Sequence, residues 1–260
     1  MKRQLGKFLP ESLKNLIRTI LFGKQVEEAS LAYKLLQGAT GTKQMLDVGA
    51  HFGHTLLPFA KAGWKVFAFE PDSKNRQKLE ATIKTNNLTN VTIDPRALAE
   101  KPGKMSFFTS EVSTGISSLV SFHKSHKATD EIEVTTLDQI CSEYGISEIS
   151  FLKTDTEGYD LNVLRGLNFN NIKPTIIICE FENAKTEKLG YTVSNQITFL
   201  KDNGYQVVIS EWHPIVEYGR RHKWNRYTIN VNEVNPNAWG NIIAVQPPLF
   251  PRLKSLCKLA

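Results

Sequence analysis

Cysteine is scarce in this sequence, and long apolar runs are missing from it. Only three cysteines occur among 260 residues, and they are widely separated: Cys141, Cys179 and Cys257. Neither a disulfide framework nor a zinc site can be assembled from that spacing, so we expect thiols in a reducing compartment. No stretch approaches the roughly 20 apolar residues of a membrane-spanning helix, and the basic N-terminus lacks the apolar core of a cleaved signal peptide. The simplest expectation is a cytoplasmic protein.

Charge of one sign is also not concentrated anywhere. The chain has 32 Lys plus Arg against 26 Asp plus Glu, which gives a net charge of +6. This excess is spread along the chain and tolerates acidic partners or surfaces. A dedicated nucleic-acid binder would instead show a clustered basic stripe interleaved with aromatic residues, so no nucleic-acid partner is expected.

What the sequence does have is a regular alternation of short apolar strands and amphipathic helices from residue 44 onward. Strands and helices at this spacing build a parallel sheet that is covered on both faces. We therefore predict a doubly wound, mostly parallel α/β domain over residues 41–250. A helical segment (1–40) precedes it, a tail (251–260) follows it, and an irregular insert rich in Trp, His, Arg and Tyr (212–240) separates its last two strands.

The N-terminal segment contains one amphipathic helix, "PESLKNLIRTILFG" at 10–23. Its apolar side chains fall on one face at helical spacing: Leu13, Leu16, Ile17, Ile20 and Leu21. Such a helix packs on the main domain or covers its pocket as a lid. The alternative is a basic helix that rests on an anionic membrane surface, and the C-terminal "LFPRLKSLCKLA" has a similar character. Peripheral membrane contact therefore stays open.

A glycine-containing turn, "MLDVGAHFGHT" at 45–55, follows the first predicted strand. Gly49 and Gly53 permit a tight turn that exposes backbone amides at a helix start. A dinucleotide site needs G-x-G-x-x-G, but His51 replaces the middle glycine, and Asp47 would lie near the phosphates. A donor with a cationic amino group and sulfonium but no phosphate, such as S-adenosylmethionine, is compatible with both residues.

A second acidic residue, Glu70, ends the next predicted strand in "FAFEP". A carboxylate at that position can accept both ribose hydroxyls of a nucleoside, in NAD folds and in S-adenosylmethionine folds alike. Together with Asp47 it favours the methyl donor. The alternative is that both residues are merely solvated charges at strand ends.

These motifs occur in an order that resembles the FkbM-type methyltransferases. The segments are "LDVGAHFGHT", "FAFEP", "ALAEKPGKMSFF", "GISSL", "VTTLDQI", "FLKTDTEGYDLNVLRG" and "IIICEFE". The resemblance covers residues 44–210 and the closing strand near 242–247. It implies a Rossmann-like fold of the class I methyltransferase type and S-adenosylmethionine as cofactor. Many members are O-methyltransferases that act on sugars and other small hydroxylated molecules.

The resemblance also implies roles for individual residues of the donor site. Asp47, Gly49 and Gly53 would frame the methionine end, with His51 accepted in the same turn. The remaining donor-site positions are Glu70 for the ribose, Pro71 and Asp72 for the turn after it, Ala97 and Leu98 for the adenine border, and Asp155 facing both donor and acceptor.

Acidic residues cluster on the acceptor side as well. Asp155 is the first choice for a base or a substrate orienter, and by strand alternation Glu157 would share its side. Glu157 serves equally well as a cap for the following helix. In "CEFE", Glu180 and Glu182 are two residues apart on a predicted strand, so their side chains would point to the same side and bind acceptor hydroxyls. Glu180 is also a candidate catalytic group. With Asp155 the two glutamates could instead hold a divalent cation, a site that we do not predict.

The insert supplies the remaining candidates. His213 could act as a base near neutral pH, or it could be a loop histidine beside Trp212. Trp212 itself and Arg220, from "YGRRHKW", are candidate acceptor contacts, the latter for a phosphate or carboxylate.

Two functional hypotheses follow from these observations. The first is an S-adenosylmethionine-dependent methyltransferase whose acceptor is a hydroxyl of a sugar, glycan or glycolipid precursor. The second is a non-catalytic subunit or membrane-surface adaptor that keeps the fold, although such a protein has no physical need for acidic residues at successive strand ends. A nicotinamide dehydrogenase is disfavoured by the missing glycines.

Overall fold

A computed structural model describes residues 26–38, 41–218 and 222–260. The helix predicted at 10–23 lies outside the described residues, and so does Arg220.

Within the described residues the strands form two sheets. In chain order they are β1 (Gln44–Val48), β2 (Lys65–Phe69), β3 (Val91–Asp94), β4 (Ala97–Leu98), β5 (Gly103–Ser110), β6 (His126–Thr135), β7 (Phe151–Thr154), β8 (Ile176–Glu182), β9 (Gln206–Trp212), β10 (Trp224–Thr228) and β11 (Trp239–Val245). The large sheet has the order β10-β9-β11-β8-β7-β1-β2-β3, and the small one has the order β4-β6-β5. Strands β3, β2, β1, β7 and β8 run parallel, whereas β11 is antiparallel to both β8 and β9.

Helices cover both faces of the large sheet. They are α1 (Glu28–Leu36), α2 (Leu57–Lys61), α3 (Ser73–Thr85), α4 (Leu137–Tyr144), α5 (Asp160–Arg165), α6 (Asn183–Thr186), α7 (Val193–Asp202) and α8 (Phe250–Cys257). One apolar cluster contains α4, α5 and α7, and the other contains α1, α2, α3 and α8. Strand β8 contributes Ile177 and Cys179 to the first cluster and Ile176 and Ile178 to the second. This alternation along a fully buried strand confirms the predicted doubly wound, mostly parallel architecture.

The segment 91–98 does not form one continuous strand, because β3 belongs to the large sheet and β4 to the small one. Pro95 cannot donate a ladder hydrogen bond, and it stands between β3 and β4. The turn is held by Asp94, whose carboxylate accepts hydrogen bonds from the Arg96 backbone amide at 2.9 Å and from its guanidinium at 2.7 Å. The chain therefore leaves the large sheet at Asp94, and Ala97 and Leu98 join the small sheet as β4.

Both ends of the predicted domain contain further ordered elements. The 212–240 insert includes β10, which pairs antiparallel with β9 at the sheet edge. In α8, Leu253 and Cys257 are buried in the same cluster as α1, and Arg252 donates to the Leu35 carbonyl at 3.2 Å. The apolar face of α8 therefore packs on the domain. Among the helices in the described part of the chain, none is both long and apolar enough to cross a bilayer.

Candidate functional site

The carboxyl ends of β1, β2 and β7 border a cavity of about 270 Å³. In an open α/β sheet this edge is where ligands bind. Seven of the residues predicted for the donor line the cavity: Gly49, His51, Glu70, Pro71, Ala97, Leu98 and Asp155. The others, Asp47, Gly53 and Asp72, lie next to it without lining it.

The two glycines of the turn are required by packing. Gly49 has φ +78°, and a Cβ at this position would overlap the carbonyl oxygen of Asp155. Gly53 has φ +83°, and its Cβ would lie 2.7 Å from Cδ1 of Leu79 on α3. Gly49 thus allows the ends of β1 and β7 to touch, which brings Asp155 to the wall of the cavity.

The backbone amides of this turn are already used within the protein. The amides of Gly49 and Ala50 both donate to the Phe69 carbonyl at 3.0 Å, and the amide of His51 donates to Oε2 of Glu70 at 2.7 Å. A dinucleotide fold would direct such amides at a pyrophosphate. Their engagement here is a physical reason why the turn does not form a phosphate cradle.

Glu70 is buried at the end of β2, with one hydrogen-bond donor on each carboxylate oxygen. Oε2 accepts from the His51 amide at 2.7 Å, and Oε1 accepts from the Asp72 amide at 2.9 Å. Burial raises the pKa of Glu70 to about 7, against the opposing effect of these two backbone hydrogen bonds. Each oxygen retains an acceptor site, so the carboxylate can still receive two hydroxyl groups from within the cavity.

Residues 113–118 form the outer wall of the cavity, and α3 holds them in place. Asp72 caps α3, and its Oδ2 accepts a hydrogen bond from the Ser117 hydroxyl at 2.9 Å. The Asn75 amide donates to the Thr114 carbonyl at 3.0 Å. The His51 ring lies with Nε2 3.4 Å from the Thr114 hydroxyl, and burial lowers the pKa of this histidine. Asp72 therefore shapes the site through the wall rather than from inside the cavity.

A buried lysine, Lys153, connects the two aspartates at the ends of β1 and β7. Its ammonium lies 3.4 Å from Oδ1 of Asp47 and 3.2 Å from Oδ2 of Asp155. Burial raises the pKa of Asp47, partly offset by Lys153. Burial also acts to raise the pKa of Asp155, but Lys153 and then Lys185 outweigh it and hold this pKa below its usual value. Asp155 is therefore ionised, and 39 % of its side chain is exposed.

A second buried lysine, Lys185, lies at the centre of three glutamates. Its ammonium contacts the carboxylate of Glu157 directly, Oε1 of Glu180 at 3.2 Å and Oε2 of Glu182 at 2.9 Å, and only 1 % of its side chain is exposed. The ring of Tyr218 stands 5.8 Å away, and its hydroxyl donates to Glu182 at 2.9 Å. Glu180 and Glu182 thus share a side of β8, as predicted, but they face a lysine.

Glu157 neither continues the strand alternation of Asp155 nor caps the following helix. Strand β7 ends at Thr154, and Glu157 has φ +57°, so it does not continue the alternation of Asp155. The cap position of α5 is occupied by Tyr159, without a side-chain cap. Glu157 instead lines the cavity and pairs with Lys185.

Two of the carboxyls around Lys185, those of Glu157 and Glu180, have raised pKa values. Burial is the main reason why the pKa of Glu157 rises to about 7 and that of Glu180 rises well above its usual value. One oxygen each of Asp155, Glu157 and Glu180 lies within 4.8 Å of the others, a spacing that could hold a metal ion. The positive charge beside Glu157 and Glu180, however, is the ammonium of Lys185.

Of the insert candidates that the structure describes, neither His213 nor Trp212 lines this cavity. His213 is exposed at the end of β9, where its amide donates to the Lys223 carbonyl at 3.0 Å. Trp212 is buried and lines a separate cavity, to which Asp155 also contributes. Sequence reasoning missed both lysines, although Lys153 had a recognisable signal, since a lysine inside an otherwise apolar strand is rarely buried without a partner.

The residues that line the first cavity fit S-adenosylmethionine. Glu70 offers open acceptor sites for a ribose, and Ala97 and Leu98 give a small apolar border for a purine. Asp155 is ionised and partly exposed, and its negative charge would favour the third group that such a donor presents, its cationic sulfonium. Asp47 is fully buried, and it shares the counter-charge of Lys153 with Asp155.

Comparison with known proteins identifies the family of the chain. The model of a methyltransferase FkbM domain matches residues 47–207, which is more than half of the chain. No curated protein matches the sequence. Several solved structures are similar in fold, at low identity.

Three of these structures illustrate the range. A methyltransferase FkbM from Methylobacillus flagellatus KT is 19 % identical, with a TM-score of 0.49, over 85 % of this chain and 48 % of that one, so this chain spans about half its length. A precorrin-6y C5,15-methyltransferase from Geobacter metallireducens GS-15 is 12 % identical (TM-score 0.45), over 84 % and 87 % of the two chains. Magnesium protoporphyrin IX methyltransferase from Synechocystis PCC 6803, solved with bound SAH, is 12 % identical (TM-score 0.44), over 93 % and 96 %.

Proposed function

We propose that this chain, which belongs to the FkbM methyltransferase family, is an S-adenosylmethionine-dependent O-methyltransferase that acts on a hydroxyl of a sugar, glycan or glycolipid precursor. The observation that carries the proposal is the convergence of three predicted features on one cavity. Glu70, the pair Ala97 and Leu98, and Asp155 come from different strand ends, and all of them line it. Glu70 would accept hydrogen bonds from the ribose, Ala97 and Leu98 would border the purine, and Asp155 would supply an ionised group next to the methyl acceptor.

The chain's own residues divide the work of binding and proton transfer. When bound, S-adenosylmethionine supplies an electrophilic methyl group on a good leaving group. Glu70 and the wall at 113–118 would hold its nucleoside. Asp155 would orient the acceptor hydroxyl and take its proton, a transfer that occurs late because the hydroxyl is a weak acid. Lys153 keeps Asp155 ionised and fixes its position.

Asp155 is better suited to this role than the other predicted bases. Glu180 has a strongly raised pKa, lies against Lys185 and contributes to neither of the two cavities that Asp155 lines. His213 is exposed and lies outside both cavities. The proposal includes action in the cytoplasm, which the three widely spaced cysteines of the sequence favour.

Two measurements test the proposal. Isothermal titration calorimetry with S-adenosylhomocysteine should show one site per chain, and no binding in the presence or absence of acceptor extracts would refute the assignment. The rate at which labelled methyl groups are transferred to extracted glycans should then fall at least about 100-fold in Asp155→Asn. The affinity of this variant for S-adenosylhomocysteine should stay within a few-fold of that of the unmodified chain. The non-catalytic alternative predicts instead that Asp155→Asn retains the full biological effect in cells.

A further inference from the structure

A second cavity, of about 420 Å³, shares Asp155 with the donor cavity. It is bordered by the start of α1, the turn before α2, and the ends of β7, β8, β9 and β11. Its lining includes the side chains of Tyr33, Lys153, Trp212, Trp239 and Asn241. Its volume falls within the range of roughly 300–1,000 Å³ that small-molecule sites occupy.

We propose that this second cavity binds the methyl acceptor, and that it selects an uncharged, hydroxylated ring such as a neutral sugar. The inference rests on the proposed function, because it takes the first cavity as the donor site. Asp155 lines both cavities. A group-transfer enzyme must present its two ligands to a common point, and Asp155 is such a point here.

The aromatic floor of the second cavity is rigid before any ligand arrives. The rings of Trp212 and Trp239 lie 5.2 Å apart at an interplanar angle of 35°. The Trp212 indole nitrogen donates to Oε1 of Glu28 at 3.0 Å, and the same oxygen accepts from the Ser210 hydroxyl at 2.6 Å. A fixed indole face costs little entropy when a flat apolar surface, such as one face of a sugar ring, stacks on it.

The charges around the cavity disfavour an anionic acceptor. The carboxylates of Glu27, Glu28 and Asp155 line it, and the one lysine among its lining residues, Lys153, is shared between Asp155 and Asp47. A phosphate or carboxylate on the acceptor would meet net negative charge in a partly buried place.

A cationic acceptor is disfavoured for a different reason. The carboxylate of Glu28 already accepts two hydrogen bonds, and Asp155 faces Lys153. An ammonium group would therefore compete with donors that the chain itself provides. A neutral ring with hydroxyl groups can use the remaining lone pairs of these carboxylates and the Asn241 amide without such competition.

The test measures binding, separately from turnover, on the full chain saturated with S-adenosylhomocysteine. The probes are neutral methyl hexosides, the corresponding uronic acids and 6-phosphates, and glucosamine, each titrated by calorimetry and tryptophan fluorescence. We expect at least one neutral hexoside to bind, with the acid, phosphate and amino forms at least tenfold weaker. Failure of every neutral hexoside, or tighter binding of a charged form, overturns the inference.

Variants locate the binding site. Trp239→Ala should weaken the neutral hexoside at least tenfold and leave S-adenosylhomocysteine affinity within twofold. The control is Val216→Ala, because Val216 is exposed and lines neither cavity. If Trp239→Ala does not fold, Tyr33→Ala replaces it, with the same expectation. Unchanged hexoside binding in the folded variant overturns the placement of the acceptor in this cavity. If the unmodified chain does not bind S-adenosylhomocysteine, the proposed function itself is refuted.

Discussion

The buried carboxyl of Glu70 should make donor-site binding depend on pH. Its pKa is raised to about 7, chiefly by burial. Ribose hydroxyls donate hydrogen bonds to the carboxylate form, so binding of the nucleoside favours the ionised state and expels the proton. The affinity for S-adenosylhomocysteine should therefore increase as the pH rises through 7.

The size of the effect follows from the fraction of Glu70 that is ionised. With a pKa of about 7, this fraction rises from roughly one-eleventh at pH 6 to roughly ten-elevenths at pH 8. If only the ionised form accepts the ribose, affinity increases about tenfold over this range, which corresponds to about 1.4 kcal/mol. Binding at pH 6 should release close to one proton, and binding at pH 8 should release almost none.

Calorimetry at pH 6, 7 and 8, in two buffers with different ionisation enthalpies, measures both the affinity and the protons released. Glu70→Gln should bind more weakly and lose the pH dependence. Glu157→Gln is the matched control, because Glu157 lines the same cavity and also has a pKa of about 7, yet it is paired with Lys185 and should leave the slope intact. An unmodified chain without the slope, or a Glu70→Gln variant that retains it, would refute the reasoning.

Three further substitutions test the packing and charges around the site. Lys185→Met leaves buried carboxylates without their cation and should lower the free energy of unfolding by about 3–5 kcal/mol in urea titrations at pH 8. The loss should shrink at pH 5, which is below the Glu157 pKa of about 7, because that carboxyl is then protonated and needs no cation; an equal loss at both pH values would contradict this account. Gly49→Ala would bring a Cβ into the Asp155 carbonyl at φ +78°, so we expect a loss of more than about 1 kcal/mol and weaker S-adenosylhomocysteine binding. Lys153→Met should raise the pKa of Asp155, so the methyl-transfer rate should begin to fall at a higher pH as the solution is acidified. Lys153→Arg keeps the positive charge and should return this pH dependence to that of the unmodified chain.

The sheet and the donor cavity were largely predictable from the sequence because their signals are local. A carboxylate after an apolar strand and before a helix marks a strand end, and parallel strand ends gather at one edge. This reasoning brought Glu70 and Asp155 together from positions far apart in the chain. The family resemblance, and not strand alternation, implied that Ala97 and Leu98 border the same site, and they line its cavity even though they leave the large sheet. The break at Pro95 changed which sheet they join, without removing them from the cavity.

The roles of the lysines and of Glu157 were not predictable from strand alternation. Alternation fixes which way a side chain leaves the strand, but a lysine reaches several ångströms beyond that point. Lys185 follows β8 on α6 and returns to Glu180 and Glu182. Gly158, with φ +95°, leaves room for it, since a Cβ there would lie 2.7 Å from the Lys185 Cβ. Such a contact depends on the tertiary packing of two loops.

The two lysines also decide which carboxyl at this edge can act as a base. Six acidic residues there have displaced pKa values: Asp47, Glu70, Asp155, Glu157, Asp160 and Glu180. Burial raises the pKa of five of them, which favours their protonated forms. Asp155 alone among the six has a lowered pKa, because Lys153 and Lys185 both act on it. Since Asp155 also lines both cavities, the electrostatics and the geometry select the same residue, and a sequence that shows only a row of acids at strand ends cannot make that selection.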